Sequence, residues 1–242
     1  MVAGLATSCS RVWRRALCEH ALGITLKLKE FVLWAYKLDL SDSRAFTLEN
    51  RCVCAHFERH FRGGETEDIY RVVIKLSEYD PRNGTTDSSN SVLKFYESFD
   101  FDYLHSLIGQ EKKRYLLETL VASLVKLCEL TGWESEPFKL AKQKVIEEEF
   151  DNSYEVARKN NRSRNMVAIL NAQHTEKEFS LSVVVKDKRN NKIIEKQVLS
   201  VEPDEFIFNS QIGDLRWSSH DVLTYRAKDK STIETIHINS NG

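Results

Sequence analysis

Four possible zinc ligands lie close together in the sequence: Cys52, Cys54, His56 and His60. Thiolates and imidazoles are the groups that zinc prefers. The run from Arg51 to Arg62 is predicted as a β-strand, with Gly63 and Gly64 in the turn that follows it. On a strand the four side chains would point to the same face, where together they could hold a metal ion.

The spacing of these residues argues against a zinc site. Two cysteines separated by one residue on a flat strand place their sulfurs roughly 6.5–7 Å apart, whereas two sulfurs on one zinc ion lie about 3.8 Å apart. A second pair of ligands is missing from the neighbouring sequence. The favoured interpretation is a strand with the cysteines buried at one end and the histidines in solvent, so no cofactor is predicted. A metal site is the alternative.

Two aspartates, Asp100 and Asp102, form another possible pair of catalytic carboxylates. They stand between aromatic residues where the chain turns into a helix. There they can cap the helix and favour the positive end of its dipole, which is the favoured interpretation. Glu111 and Lys113 have the spacing of part of a nuclease signature, but we predict that they lie on the solvated surface of a helix.

The remaining motifs give no signal for catalysis. The run from Ser218 to Asp221 includes the residue types of a catalytic triad, but triad members converge from separate segments and are not adjacent. The sequence contains no nucleophile elbow, phosphate-binding loop, dinucleotide fingerprint or His-Glu-x-x-His motif. The inventory therefore favours a protein that is not an enzyme.

The order of elements predicts an α+β fold, with antiparallel β-rich blocks at both ends flanking a central pair of helices. Apolar residues alternate with polar ones in the two outer blocks, as in half-buried strands. Between Leu116 and Leu130 they recur every three or four residues, as in a helix. Gly132 is predicted to end this helix, and Ser135 and Pro137 are predicted to begin the next.

Three divisions of the chain are predicted: a tail at residues 1–23, a β-rich segment with the helical pair at 24–155, and a β-meander at 156–242, with or without a core in common with the second division. The charged run from Glu147 to Asn165 is predicted as a linker or an exposed excursion. A short strand is predicted from Phe206 to Phe208. The tail is interpreted as a frayed or amphipathic end, with a targeting segment or a misassigned start as alternatives.

Composition excludes several classes of protein. The 35 basic and 36 acidic residues balance, so the molecule has no overall field that would attract nucleic acid or an anionic membrane. No apolar run approaches the roughly 18–20 residues that a membrane-spanning helix needs. The 5 cysteines are few and odd in number for a disulfide-bonded secreted protein, so we predict reduced thiols and a cytoplasmic location.

These observations predict a non-enzymatic protein that binds another protein. The toxin-neutralising immunity proteins are an analogy of type and not of residues. The partner surface is predicted at an acidic segment and at an aromatic residue beside an arginine: Glu147, Glu148, Glu149, Asp151 and Glu155, with Arg216 and Trp217. The alternative is a metal-dependent hydrolase or nuclease that uses the cluster of cysteines and histidines or the pair of aspartates.

Overall fold

The computed structural model describes residues 25–36 and 38–238. The elements run in the order strands, helices, strands, which confirms the α+β class with strand blocks at both ends and helices in the middle. The predicted tail at residues 1–23 lies outside the described residues. None of the helices in the described ranges is long and apolar enough to cross a membrane.

The N-terminal block holds six strands and one long helix: β1 (Leu26–Lys27), β2 (Glu30–Ala35), α1 (Leu40–His60), β3 (Glu65–Thr66), β4 (Arg71–Ser77), β5 (Thr86–Ser89) and β6 (Val92–Ser98). Strands β2, β4 and β6 pair in parallel, β5 joins β6 antiparallel, and β1 pairs with β3. The parallel pairs differ from the antiparallel pairing expected here. Helix α1 supplies the long crossover that parallel neighbours such as β2 and β4 require.

The predicted strand from Arg51 to Arg62 is wrong, because residues 51–60 belong to α1. The Asp39 side chain caps this helix by accepting a hydrogen bond from the Asp42 amide at 2.9 Å. Buried residues then recur three or four positions apart along it, at Phe46, Asn50, Val53 and Phe57. The local mixture of Cys, Val and Phe suits a strand, but packing against β2 and the later helices selects the helix.

Three helices form the middle of the chain: α2 (Phe101–Ser106), α3 (Gly109–Thr131) and α4 (Glu136–Glu147). Helix α3 ends as predicted at Gly132, whose φ of 75° is the left-handed conformation that glycine tolerates. Helix α1 packs against both α3 and α4. Buried apolar residues between Leu28 and Phe150 form one cluster beneath these helices and the N-terminal sheet.

The C-terminal block holds seven strands and one helical turn: β7 (Ser153–Asn160), β8 (Met166–His174), β9 (Phe179–Asp187), β10 (Lys192–Val201), α5 (Glu205–Phe208), β11 (Asp214–Trp217), β12 (Val222–Arg226) and β13 (Thr232–His237). They form a four-stranded antiparallel sheet in the order β10-β9-β8-β7 and a three-stranded sheet in the order β11-β12-β13. Buried apolar residues between Met166 and Ile238 form a second cluster.

Two predictions for this block are wrong. Residues 206–208 are not a strand but belong to α5, because the Asp204 side chain accepts a hydrogen bond from the Phe206 amide and starts a helical turn. The segment from Glu147 to Asn165 is not a linker throughout, because residues 153–160 form β7 and pair with β8. The polar sequence of β7 fits its exposure, because all 8 of its side chains are at least partly exposed.

Candidate metal centre

Two histidines of α1 and one glutamate after α4 converge on a single point. His56 and His60 are four residues apart, so they lie on the same face of the helix. The Nε2 atom of His56 lies 2.8 Å from Oε2 of Glu148, and Nε2 of His60 lies 3.0 Å from the same oxygen. The three possible ligand atoms all lie within 4.8 Å of one another.

The end of α4 places Glu148 opposite the histidines. Helix α4 packs along α1, and Glu148 is its C-terminal cap residue. The chain then passes through two residues with positive φ, Glu149 at 51° and Phe150 at 61°. This tight turn puts Phe150 into the N-terminal apolar cluster, where it is only 6% exposed, and so anchors the segment that carries Glu148.

The surroundings favour a neutral imidazole and an ionised carboxylate at this point. Burial lowers the pKa of His56 below its usual value, and this outweighs the opposite effect of its hydrogen bond to Glu148. Partial burial alone would raise the pKa of Glu148, but the hydrogen bonds to His56 and His60 outweigh it, so that pKa is lowered. Neutral imidazole and ionised carboxylate are the forms that bind metal ions.

Two imidazoles and one carboxylate make up a donor set that zinc takes in three-ligand sites. Bonds of about 2.0–2.1 Å in a tetrahedral arrangement would separate the ligand atoms by about 3.3 Å. The observed 2.8 and 3.0 Å are a few tenths of an ångström shorter, so small side-chain rotations would admit an ion. Each imidazole would then keep its proton on Nδ1 and offer the Nε2 lone pair to the metal.

The cysteines that were grouped with these histidines do not join them. The Cys54 thiol donates to Oδ1 of Asn50 and the Cys52 thiol to the Glu49 carbonyl, each at 3.6 Å. Burial raises the pKa of both thiols to about 12, so they stay protonated. The predicted burial of the cysteines is confirmed, but the prediction that the histidines are in solvent is wrong for His56, which is 1% exposed.

The two aspartates lie elsewhere, in a cavity of about 520 Å³. The predicted capping role is confirmed for Asp100, which accepts a hydrogen bond from the Tyr103 amide at 2.7 Å at the start of α2. Asp102 and Glu78 also line this cavity, beyond the carboxyl ends of the parallel strands β4 and β6. Ligands of α/β sheets often bind at such strand ends. In this cavity, however, the acidic side chains are the main polar feature, and Asp100 already accepts a hydrogen bond from the backbone.

Several of the side chains predicted to bind a partner make contacts within the chain. In the acidic segment, Glu147 pairs with Lys144, Glu155 pairs with Arg158, and Asp151 accepts from Ser153. Glu149 lies exposed beside Glu148. In β11, Arg216 is exposed, while the indole Nε1 of Trp217 donates to the Lys159 carbonyl at 3.0 Å. The Trp217 indole therefore joins the two sheets of the C-terminal block.

The chemistry of the two histidines and the glutamate has to be judged from their own geometry. A comparison with protein families, curated proteins and solved structures finds no match. Sequence reasoning identified His56 and His60 as candidate ligands and placed Glu148 in a different role. No local signal links them, because Glu148 lies 92 residues after His56.

Proposed function

We propose that the protein is a metal-dependent hydrolase whose metal ion is held by His56, His60 and Glu148. Two imidazoles and a carboxylate favour zinc as this ion. The observation that supports this most strongly is the convergence of three ligand atoms within 4.8 Å. Zinc bound by three protein ligands lowers the pKa of a coordinated water to about 7, which supplies a hydroxide nucleophile at neutral pH.

The number and exposure of the ligands favour a catalytic ion over a structural one. Structural zinc sites usually have four protein ligands, whereas catalytic sites keep a position for water or substrate. Among the residues that the structure describes, three side chains form this group. The Glu148 side chain is 42% exposed and that of His60 is 17% exposed, so water and a substrate can approach from that side.

The competing interpretation is a purely structural one. Both histidines can donate hydrogen bonds to Glu148 and so tie α1 to α4 without any ion. Metal content separates the two interpretations. The purified protein, loaded with zinc and then desalted, is expected to retain about one zinc ion per chain by elemental analysis. Zinc at about 100 times its Kd should stabilise the fold by about 2.7 kcal/mol.

Two substitutions and one control test the ligand set. Glu148→Gln keeps the shape and a hydrogen-bond acceptor but removes the charge, and His60→Asn removes an imidazole that is partly exposed. Both should reduce bound zinc to about a tenth or less of the wild-type amount. Glu147→Gln is the matched control, because Glu147 pairs with Lys144 and touches neither histidine. Equal zinc retention by all four proteins, or none by the wild type, would refute the metal site.

Catalysis is tested separately with chromogenic esters, phosphodiesters and peptides. The zinc-loaded protein should hydrolyse at least one of these, lose the activity with a chelator and regain it with zinc. The activity should be lost in Glu148→Gln and kept in Glu147→Gln. Zinc binding without hydrolysis of any substrate would leave the metal site standing and refute the hydrolase.

A second candidate function is the binding of another protein, favoured by Phe206, whose side chain is 95% exposed. Exposed aromatic side chains on a fixed turn are typical anchors of protein interfaces. Three acids and two arginines border the turn, namely Glu202, Asp204, Glu205, Arg44 and Arg51. The excess of negative charge favours a partner with an apolar pocket and a basic border, and the predicted immunity-type role is one form of this function.

This second function is tested by comparing variants in the same capture experiment. A partner bound by the wild type should be lost with Phe206→Ala and kept with Ile108→Ala, since Ile108 is also exposed, at 79%, but lies before α3. A partner that both variants retain, or that both lose, would exclude Phe206 as the specific anchor.

A further inference from the structure

A cavity of about 260 Å³ lies between α1 and the C-terminal strands. Its walls include Glu58 and Arg59 of α1, His174 of β8, and Glu205 and Phe208 of α5. The elements that line it belong to both the N-terminal and the C-terminal block. Pockets that hold drug-sized ligands measure about 300–1,000 Å³, so this cavity suits a smaller molecule.

Arg59 presents a buried donor that the chain does not satisfy. Its Nε atom donates to Oδ1 of Asn152 at 2.9 Å, and its guanidinium lies 4.7 Å from the centre of the Tyr154 ring. These contacts fix the plane of the guanidinium. The Nη2 atom is buried and has no hydrogen-bond partner among the described residues. An arginine stays charged at neutral pH.

His174 also lines this cavity and carries a buried acceptor atom. Its ring packs edge-on against Phe179 and Phe208, and it is 4% exposed. The ring bonds to the Pro203 carbonyl, which leaves Nε2 buried without a partner in the described part of the chain. Burial lowers the pKa of His174 to about 4, so at neutral pH the imidazole is neutral and its Nε2 accepts a hydrogen bond.

Two buried polar atoms without a partner in residues 25–36 and 38–238, Nη2 of Arg59 and Nε2 of His174, belong to residues of the same cavity. Native proteins leave few buried polar atoms unsatisfied, and each exception calls for an explanation. Within the described ranges the structure has 4 buried side-chain atoms without a partner, and two of them belong to residues that line this one cavity. A ligand that accepts a hydrogen bond from Arg59 and donates one to His174 would satisfy both.

The charges of the cavity restrict that ligand further. Two carboxylates, those of Glu58 and Glu205, also line it, and they share the single guanidinium of Arg51. A ligand with only negative charge would be attracted by Arg59 but repelled by these carboxylates. A zwitterion matches both signs, because its anionic end suits Arg59 and its cationic end suits the carboxylates.

We propose that this cavity binds a free α-amino acid. The carboxylate of the ligand accepts from Arg59, its ammonium group donates to Nε2 of His174 near Glu205, and its side chain lies towards Phe208. The size of the cavity, the two unsatisfied atoms and the paired charges support this class of ligand. The site uses different side chains from the metal centre, so each proposal has its own test and the two can fail separately.

The experiment measures the melting temperature of the full chain with each common amino acid, and the affinity of any that bind by calorimetry. A ligand that binds the folded state raises the melting temperature, and about 10 mM is enough to reveal a Kd of 1 mM. We expect at least one amino acid to stabilise the wild type. Inorganic phosphate and acetate serve as anions that lack an ammonium group, and methylamine as a cation that lacks a carboxylate.

Two variants and a control locate the binding. Arg59→Gln removes the cation, and His174→Asn removes the Nε2 acceptor while keeping a donor for the Pro203 carbonyl. Each should weaken amino-acid binding by about tenfold or more. Arg62→Gln, an exposed arginine just beyond α1, should bind like the wild type. Circular dichroism confirms that each variant folds. Should Arg59→Gln unfold, Asn152→Ala provides a second test, because it removes the amide that accepts from Arg59, together with the hydrogen bond of that amide to the Cys52 carbonyl.

Three results would overturn the proposal. The first is that no amino acid stabilises the wild type. The second is that phosphate or acetate stabilises it as well as an amino acid, since the site would then be a general anion site. The third is that folded His174→Asn and Asn152→Ala bind amino acids with wild-type affinity, since binding would then occur elsewhere.

Discussion

The Nε atom of Arg51 in α1 donates to Oε1 of Glu205 in α5 at 2.8 Å. The same guanidinium donates to both carboxylate oxygens of Glu58, at 3.0 and 2.5 Å, and to the Phe31 carbonyl of β2 at 3.1 Å. Glu58 in turn accepts from the Phe31 amide at 2.7 Å. One arginine thus connects the long helix, the first long strand and the C-terminal block, through two glutamates that line the cavity of about 260 Å³.

Removal of Arg51 should be strongly destabilising. The Arg51 and Glu58 side chains are only 12% and 15% exposed, so Arg51→Met leaves a buried carboxylate without its counter-charge. Breaking a buried pair in this way costs about 3–5 kcal/mol, and urea unfolding measures it. Arg44→Met is the control, because Arg44 is 57% exposed in its pair with Glu202, so that its replacement should change stability much less. Equal costs for the two variants would contradict the assigned role.

His174 should make the fold less stable in weakly acidic solution. Its pKa falls from 6.5 in the unfolded chain to about 4 in the folded one, so between these values the unfolded chain binds more protons. The stability that neutral His174 provides is complete above pH 6.5 and disappears as the pH falls towards 4. The difference of pKa corresponds to about 3 kcal/mol. Urea unfolding of the wild type and of His174→Asn from pH 7 to pH 4 isolates this contribution, and parallel stability curves would exclude it.

The described cysteines should be inert in the native protein. Cys52, Cys54 and Cys128 are buried, and burial raises the pKa of each thiol. A variant with Cys9→Ser and Cys18→Ser restricts a thiol-reagent assay to these three. The thiols of the native protein should react with the reagent about a hundredfold more slowly than those of the unfolded protein. In the unfolded protein all 3 thiols should react. A thiol that reacts rapidly before unfolding would show that one of them is accessible.

Local patterns predicted those elements that local chemistry determines. Helix α3 shows its period in the sequence and ends at Gly132, where the left-handed conformation favours glycine. The strands of the C-terminal block alternate apolar and polar residues, and most lie where they were expected. Helix α1 was missed because its identity depends on distant contacts, such as the donation from Asn50 to the Leu33 carbonyl at 3.2 Å.

The sites were harder to predict than the elements. The histidines of the metal centre were visible as residue types, but their partner Glu148 reaches them only because α4 packs along α1. Arg59 and His174 stand in no recognisable motif, and they share a cavity only after the two sequence blocks come together. Side chains that converge from distant segments leave no spacing pattern that one sequence can reveal.

Gly213, just before β11, should tolerate no larger residue. A Cβ atom at this position would overlap the Arg226 carbonyl oxygen, so the crowding involves rigid backbone and not a side chain that can move away. Gly213→Ala must therefore separate the start of β11 from β12, which pair here through Asp214 and Arg226. We expect a loss of about 1–3 kcal/mol in urea unfolding. Ser218→Ala, an exposed position just after β11, should change stability by about 0.5 kcal/mol or less. If Gly213→Ala is as stable as this control, the two strands do not approach so closely at this point.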